Sequence, residues 1–292
     1  MRIATAVVNW NTPDIPDVIP WIPYGEALDH MVEAGYDATE WGPSMPTDAD
    51  ELGQALESRG LDLVGAFVGL GFRDADLLEP EIERALEIAR FLTANGGAVL
   101  IAAEAGDDRR RGEAGHVDAS RGLSDDQWGN LARGLEMLAR RIEPLGMILA
   151  FHNHVGTYVE TPAETARLLD ETDPELVGWC LDIGHLAFGG GDAMDLLPRY
   201  AKRVNHVHAK DVDGAILERA RSEGWSFGTA LEHYIFPPLG MGVARIPEVV
   251  RALLDIGYDG WWVIEQDTAP DPTATAAANR RYLEGLLGIG SR

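Results

Sequence analysis

Histidine, aspartate and glutamate collect in four short strings: Phe151-His-Asn-His154, Leu181-Asp-Ile-Gly-His185, His206-Val-His-Ala-Lys-Asp211 and Val263-Ile-Glu-Gln266. Imidazole mixed with carboxylate suits a divalent ion such as Mn²⁺, Co²⁺ or Zn²⁺. Each string follows an apolar, β-prone run, so its donors stand at the C-terminal end of a strand. In a barrel of parallel strands those ends converge on one face, where a metal and a small ligand would sit. The pattern is that of an enzyme.

Alternation along a strand decides which residues share the barrel interior. Ile148, Ala150, His152 and His154 share one side of the fifth run. Val204, His206, His208 and Lys210 share one side of the seventh, and Trp261, Val263 and Glu265 one side of the eighth. The early members are mostly apolar and the last ones ionisable, as expected of a filled barrel with a polar mouth. Unpaired ionisable groups are costly to bury, so Asp182, His208 and Glu265 are expected to be ligands. His206, deeper in its strand, is expected to support them. Lys210 either pairs with an acid or donates to a substrate oxygen, and Asp211, of opposite parity, is structural.

Eight strands are expected: Ile3–Val8, Ala38–Trp41, Leu61–Val68, Ala98–Ala102, Met147–His152, Val177–Asp182, Arg203–Ala209 and Gly260–Glu265. Helical spacing marks Asp48–Arg59, Glu79–Ala94 and Asp125–Ile142 between them, with Gly60, Gly96 and Gly146 where helices should end before strands. Eight strands alternating with helices are the number that closes a (β/α)₈ TIM barrel. A doubly wound sheet would need a glycine-rich turn after its first strand, and Val8-Asn-Trp-Asn-Thr-Pro13 has none. A single domain over 1–292 follows, with 213–241 as an insertion over the barrel mouth.

The 292 residues include 48 acidic against 24 basic side chains, a net charge of −24. Such a field repels phosphate backbones and argues against nucleic acid. The basic run Arg109-Arg110-Arg111 lies among acids and reads as a solvated loop. Cys180, the one cysteine, lies in an apolar run and reads as a buried thiol in a reducing cytoplasm. No run nears the roughly 18 apolar residues of a membrane span, and the first residues lack a signal-peptide pattern.

The chain resembles the xylose-isomerase-like barrel superfamily of sugar isomerases and epimerases, and within it the inosose dehydratases. The resemblance rests on Gly35-Tyr-Asp-Ala-Thr-Glu-Trp-Gly-Pro43, Asp126-Gln-Trp128, Phe151-His-Asn-His-Val-Gly-Thr-Tyr-Val-Glu-Thr161, Leu181-Asp-Ile-Gly-His-Leu-Ala-Phe-Gly-Gly-Gly-Asp192, His206 to Asp211, Trp225-Ser-Phe227 and Gly257-Tyr-Asp-Gly-Trp261. It implies a metal held from strands five to eight, with Asp182, His208 and Glu265 matching three ligands. His152 replaces the superfamily's first glutamate, and His154 is its alternative. Two matched glutamate bases suit epimerisation, whereas one carboxylate with imidazoles suits loss of water from a keto-inositol.

Glu265 is then the base, with His154 and Lys210 as alternatives, and His152, His154 or His185 the acid. His185 and Lys210 also contact substrate. Glu40 binds hydroxyls or tunes a histidine, and Trp10 and Trp41 offer flat faces to the ring. Mn²⁺ or Co²⁺ is favoured, and Zn²⁺ or Mg²⁺ would also be accommodated. Met241 departs from the dehydratase pattern, standing where aspartate is expected near the mouth. Alternatives on the same site are a keto-sugar isomerase or epimerase and a β-eliminating keto-glycoside lyase. An apurinic-site endonuclease shares the barrel but needs more zinc ligands and a basic groove. A scaffold with a relic site is the non-catalytic alternative. Pairing through mouth loops into a homo-oligomer is implied by the resemblance.

Overall fold

The β-prone runs become eight parallel strands in the computed structural model, which describes residues 1–289. They are β1 (Arg2–Ala6), β2 (Ala38–Trp41), β3 (Asp62–Leu70), β4 (Val99–Glu104), β5 (Ile148–His152), β6 (Val177–Asp182), β7 (Val204–Ala209) and β8 (Trp261–Ile264). Each pairs with its sequence neighbour, and β8 closes on β1 through Arg2 to Thr5 against Trp261 to Ile264. This is the (β/α)₈ barrel that the alternation predicts. Helices lie between successive strands, and Asp125–Ile142 shows why they form. Ser124 and Gln127 build a capping box at its start, and Leu131, Leu135, Leu138 and Ile142 repeat along its buried face. Such a reciprocal cap satisfies two orphan backbone donors. Gly60, Gly96 and Gly146 all adopt positive φ, the left-handed stop that a residue without Cβ supplies before the next strand.

Two apolar layers result. The outer one lies between strands and helices and includes Leu28, Leu52, Leu100, Leu135 and Trp262. The inner one fills the barrel with smaller side chains: Ala4, Ala6, Ala38, Val64, Ala150, Cys180 and Val263 among them. Val204 departs from the expected parity and joins the outer layer. The cause is a register shift: Trp179 pairs with Val204 but Cys180 with His206. The extra residue, Asn205, turns its amide over Gly178, where no Cβ could be accommodated, as in a β-bulge.

β4 runs two residues past the expected end and carries Glu104 to the rim. Conversely, β1 stops early, and Val7–Asn9 make a 3₁₀ turn. Between β7 and β8 the chain forms the helices Gly214–Glu223 and Phe227–Glu232. One carboxylate ties this excursion down: Asp211 accepts the N–H groups of Val212, Gly240, Gly242 and Ala244 at 2.9–3.0 Å. Met241, expected close to the mouth, is instead 74% exposed and stands apart from the cavity described next. Among the described residues no helix is long and apolar enough to cross a membrane.

Candidate active site

The C-terminal strand ends open into a cavity of about 630 Å³ whose floor is made by His152, His208, Lys210 and Glu265. Asp182 ends β6 and serves two purposes. Its Oδ1 accepts the His185 N–H at 2.7 Å, capping the helix Ile183–Phe188. Its Oδ2 is buried without a hydrogen bond. Around that oxygen lie His152 Nε2 at 3.3 Å, His208 Nδ1 at 3.7 Å and, out of hydrogen-bonding range, the Lys210 ammonium at 3.9 Å. His208 Nδ1 is also 3.4 Å from Glu265 Oε2 and 3.1 Å from His152 Nε2. Two imidazole nitrogens and two carboxylates therefore converge on one small volume. An orphaned buried carboxylate oxygen is costly unless a cation satisfies it, so the donor set fits a divalent ion. Among the described residues, His154 belongs to none of the convergent donor groups.

Glu40 answers the choice left open by the sequence. Its Oε1 lies 2.6 Å from His206 Nε2 and 3.2 Å from His208 Nε2, so it holds two histidines, and the residue also lines the cavity. A carboxylate on the far nitrogen fixes the tautomer and ring angle of a metal-binding histidine. Burial pushes the Glu40 carboxyl up, but the charge on His208 and the hydrogen bonds of both imidazoles outweigh it and hold it near 2. His206 thus supports from below, as its depth implies. His152 has no such partner: its Nδ1 is buried and unbonded, and its ring angle rests on packing edge-on to Phe67, 5.7 Å away.

Lys210 Nζ stands 2.7 Å from Asp267 Oδ1, 2.9 Å from Glu265 Oε2 and 3.2 Å from His185 Nε2. Burial works against its charge, yet the three acids Asp267, Glu265 and Asp182 raise its pKa. Asp267 lies past the end of β8 and continues the 263, 265, 267 alternation. Burial raises its carboxyl to about 7, against the pull of Lys210. Gly184 makes room for this lysine: a Cβ there would lie 2.6 Å from Lys210 Cγ. His154 also faces the cavity, where burial and then His152 push its imidazole down to about 3.

The walls differ from expectation in one respect. Trp41 and Phe67 line the cavity, Phe67 with 41% of its surface free. Trp10 does not: the turn after β1 buries it in the outer layer, with Nε1 donating to Thr273 at 3.1 Å.

A polar belt secures the rim. Arg73, after β3, pairs with Glu104, whose Oε2 accepts the N–H groups of Gly106 and Tyr158 at 2.8 and 2.9 Å. Glu160 accepts from Gly115 and Gly156, each at 2.7 Å. Arg110 corrects the expectation of a solvated loop: it is fully buried, and its Nη2 bonds both oxygens of Glu164 at 2.9 Å. Only Arg111 of the three arginines is largely exposed. Breaking a buried pair from one side leaves an uncompensated charge. Arg110→Met is therefore expected to cost about 3–5 kcal/mol, read as a lower midpoint in urea unfolding; an unchanged midpoint would contradict it.

Comparison with known proteins bears on the barrel as a whole. The family model described as xylose isomerase-like TIM barrel matches residues 28–286. A protein of Geobacillus kaustophilus (strain HTA426) named inosose dehydratase is 34% identical over 294 residues, 98% of this chain and 94% of that one. The rhizopine catabolism protein MocC of Rhizobium meliloti is 34% identical over 271 residues, covering 93% and 83%. Among solved structures, the IolI protein with a bound zinc atom superposes with a TM-score of 0.71 at 14% identity, covering the whole of both chains. That likeness bears on the fold alone.

Proposed function

Because the chain belongs to the xylose isomerase-like TIM barrel family, we propose that it is a divalent-metal-dependent carbon–oxygen lyase that removes water from a keto-inositol. The observation that carries the metal in this reading is the buried, unbonded Asp182 Oδ2 facing His152 and His208, with Glu265 in the same donor group. The name of the Geobacillus kaustophilus relative supports the substrate class. His152, Asp182, His208 and Glu265 would hold the ion, with Mn²⁺ or Co²⁺ favoured by this nitrogen and oxygen set. Such an ion supplies Lewis acidity toward a ketone oxygen.

The chain's own groups do the rest. Lys210 keeps a positive charge on the cavity floor, where an oxygen of the substrate gains negative character. Glu265 remains ionised: burial raises its carboxyl, but His208 and Lys210 hold it well below the usual range. His152 where a second glutamate base would stand leaves Glu265 facing imidazoles, an unlike acid and base, which an elimination needs and an epimerisation does not. Trp41 and Phe67 give the ring apolar faces that exclude water.

Incubation with scyllo-inosose and each of Mn²⁺, Co²⁺, Zn²⁺ and Mg²⁺ in D₂O, followed by NMR, tests this reading. Loss of water is expected, abolished by EDTA and restored by the active metal. Deuterium incorporation without loss of water would replace the lyase by an isomerase or epimerase. The cavity volume, far larger than one polyol ring, favours a second substrate on the same site, a keto-glycoside that expels its aglycone. The same assay on such a glycoside decides it.

A further inference from the structure

His154 and His185 come from different strand ends yet stack, with ring centroids 4.0 Å apart and planes at 30°. Both face the cavity. The backbone of one residue, Val155, bonds to both. The Val155 carbonyl lies 2.7 Å from His154 Nδ1. A carbonyl only accepts, so that nitrogen must carry hydrogen. The Val155 N–H donates to His185 Nδ1 at 3.2 Å, so that nitrogen must be bare. A neutral imidazole has one N–H. The proton of His154 is therefore spent on Nδ1, while that of His185 sits on Nε2. Among the described residues, no hydrogen bond occupies His154 Nε2.

We infer that Val155 locks His154 and His185 in opposite tautomers, so that the cavity presents an acceptor and a donor side by side, matched to an α-hydroxyketone edge. The hydroxyl of that edge donates to His154 Nε2, and the neighbouring ketone oxygen accepts from the His185 Nε2–H. No proton has to leave either ring for this recognition.

Lys210 sharpens the assignment. Its Nζ, 3.2 Å from His185 Nε2, is a second donor facing the first. The ammonium already has Asp267 and Glu265 as acceptors, whereas the buried Val155 N–H has only His185 Nδ1. Reversing the His185 tautomer would strand that backbone donor. An oxygen seated between Nζ and Nε2–H accepts from both and relieves their repulsion. The packing of His185 against Phe227 and Phe236, each 5.6 Å away, keeps the ring from turning aside.

The substrate edge rests on the dehydratase reading, while the tautomer pair does not, and the tests separate them. In metal-free protein with ¹⁵N-labelled histidine, long-range ¹H–¹⁵N correlation reads each ring directly. His154→Gln and His185→Gln assign the two signals. The expected result is Nδ1–H for His154 and Nε2–H for His185; the same tautomer in both, or the reverse, overturns the inference. Calorimetry on metal-loaded protein then compares scyllo-inosose with its analogue lacking both hydroxyls that flank the ketone. Wild type should bind the analogue about tenfold more weakly, and His154→Phe should shrink the difference to within about twofold. Equal binding by wild type overturns the recognition of the edge. Failure of wild type to bind or convert scyllo-inosose would defeat the dehydratase reading, and the NMR result would still decide the tautomers.

Discussion

Asp182→Asn is expected to lower divalent-metal affinity by at least about 100-fold, the upper range for losing even an outer-shell partner, and to leave little activity. The barrel should remain as stable as the parent in metal-free buffer. The reason lies in the division of labour between the two carboxylate oxygens. Oδ1 caps a helix through the His185 N–H, and an asparagine oxygen can do the same. Oδ2 has no hydrogen-bonding partner and faces the two imidazoles. Asp182→Ala removes both functions and should cost about 1 kcal/mol more in stability through the lost cap. Metal content by mass spectrometry and thermal melts separate the two effects. An asparagine variant that retains one metal per chain would remove Asp182 from the ligand set.

The second large effect falls on stability. Lys210→Met should destabilise metal-free protein by about 3–5 kcal/mol, the cost of breaking a buried ion pair from one side. For a chain of 292 residues, with an unfolding entropy of about 2.1 cal/mol/K per residue, that is a fall in Tm of roughly 5–8 °C. Lys210 is buried with Asp267 and Glu265 within 2.9 Å of its ammonium, and its loss leaves two carboxylates confronting each other. Asp267→Asn in the same chain removes one of them and should recover a substantial part of the loss. A double-mutant cycle measures that coupling. Additive losses would mean that Lys210 and Asp267 act independently despite their 2.7 Å separation.

His152, Asp182, His208 and Glu265 were legible because two local rules act on them together. Apolar alternation fixes the face, and the end of the run fixes the depth. The residues that escaped do so for definite reasons. Glu104 lies beyond the expected end of its strand, where Ala103-Glu104 looks like the start of a loop. Asp267 follows the end of β8, where alternation no longer guarantees a direction. Arg110 is indistinguishable in sequence from Arg109 and Arg111, and only Glu164, 54 residues away, singles it out. Trp10 is turned from the cavity by a 3₁₀ turn, and Val204 by a bulge. Turns and bulges break period two, so side-chain direction past them depends on tertiary partners.

The polar belt also divides the rim by stiffness. From β3 round to the helix that follows β5 the loops are clamped by buried ion pairs and carboxylate-to-amide bonds, from Arg73 and Glu104 to Arg110, Glu160 and Glu164. Opening that arc means breaking several of them at once. Across the mouth, Ile15 and Ile19 of the first loop rest on the apolar cluster that includes Phe227 and Leu231. Apolar surfaces slide past one another without stranding a donor or acceptor. The rim is therefore built asymmetrically, with polar bonds fastening one arc and apolar packing holding the Ile15 to Ile19 segment across from it.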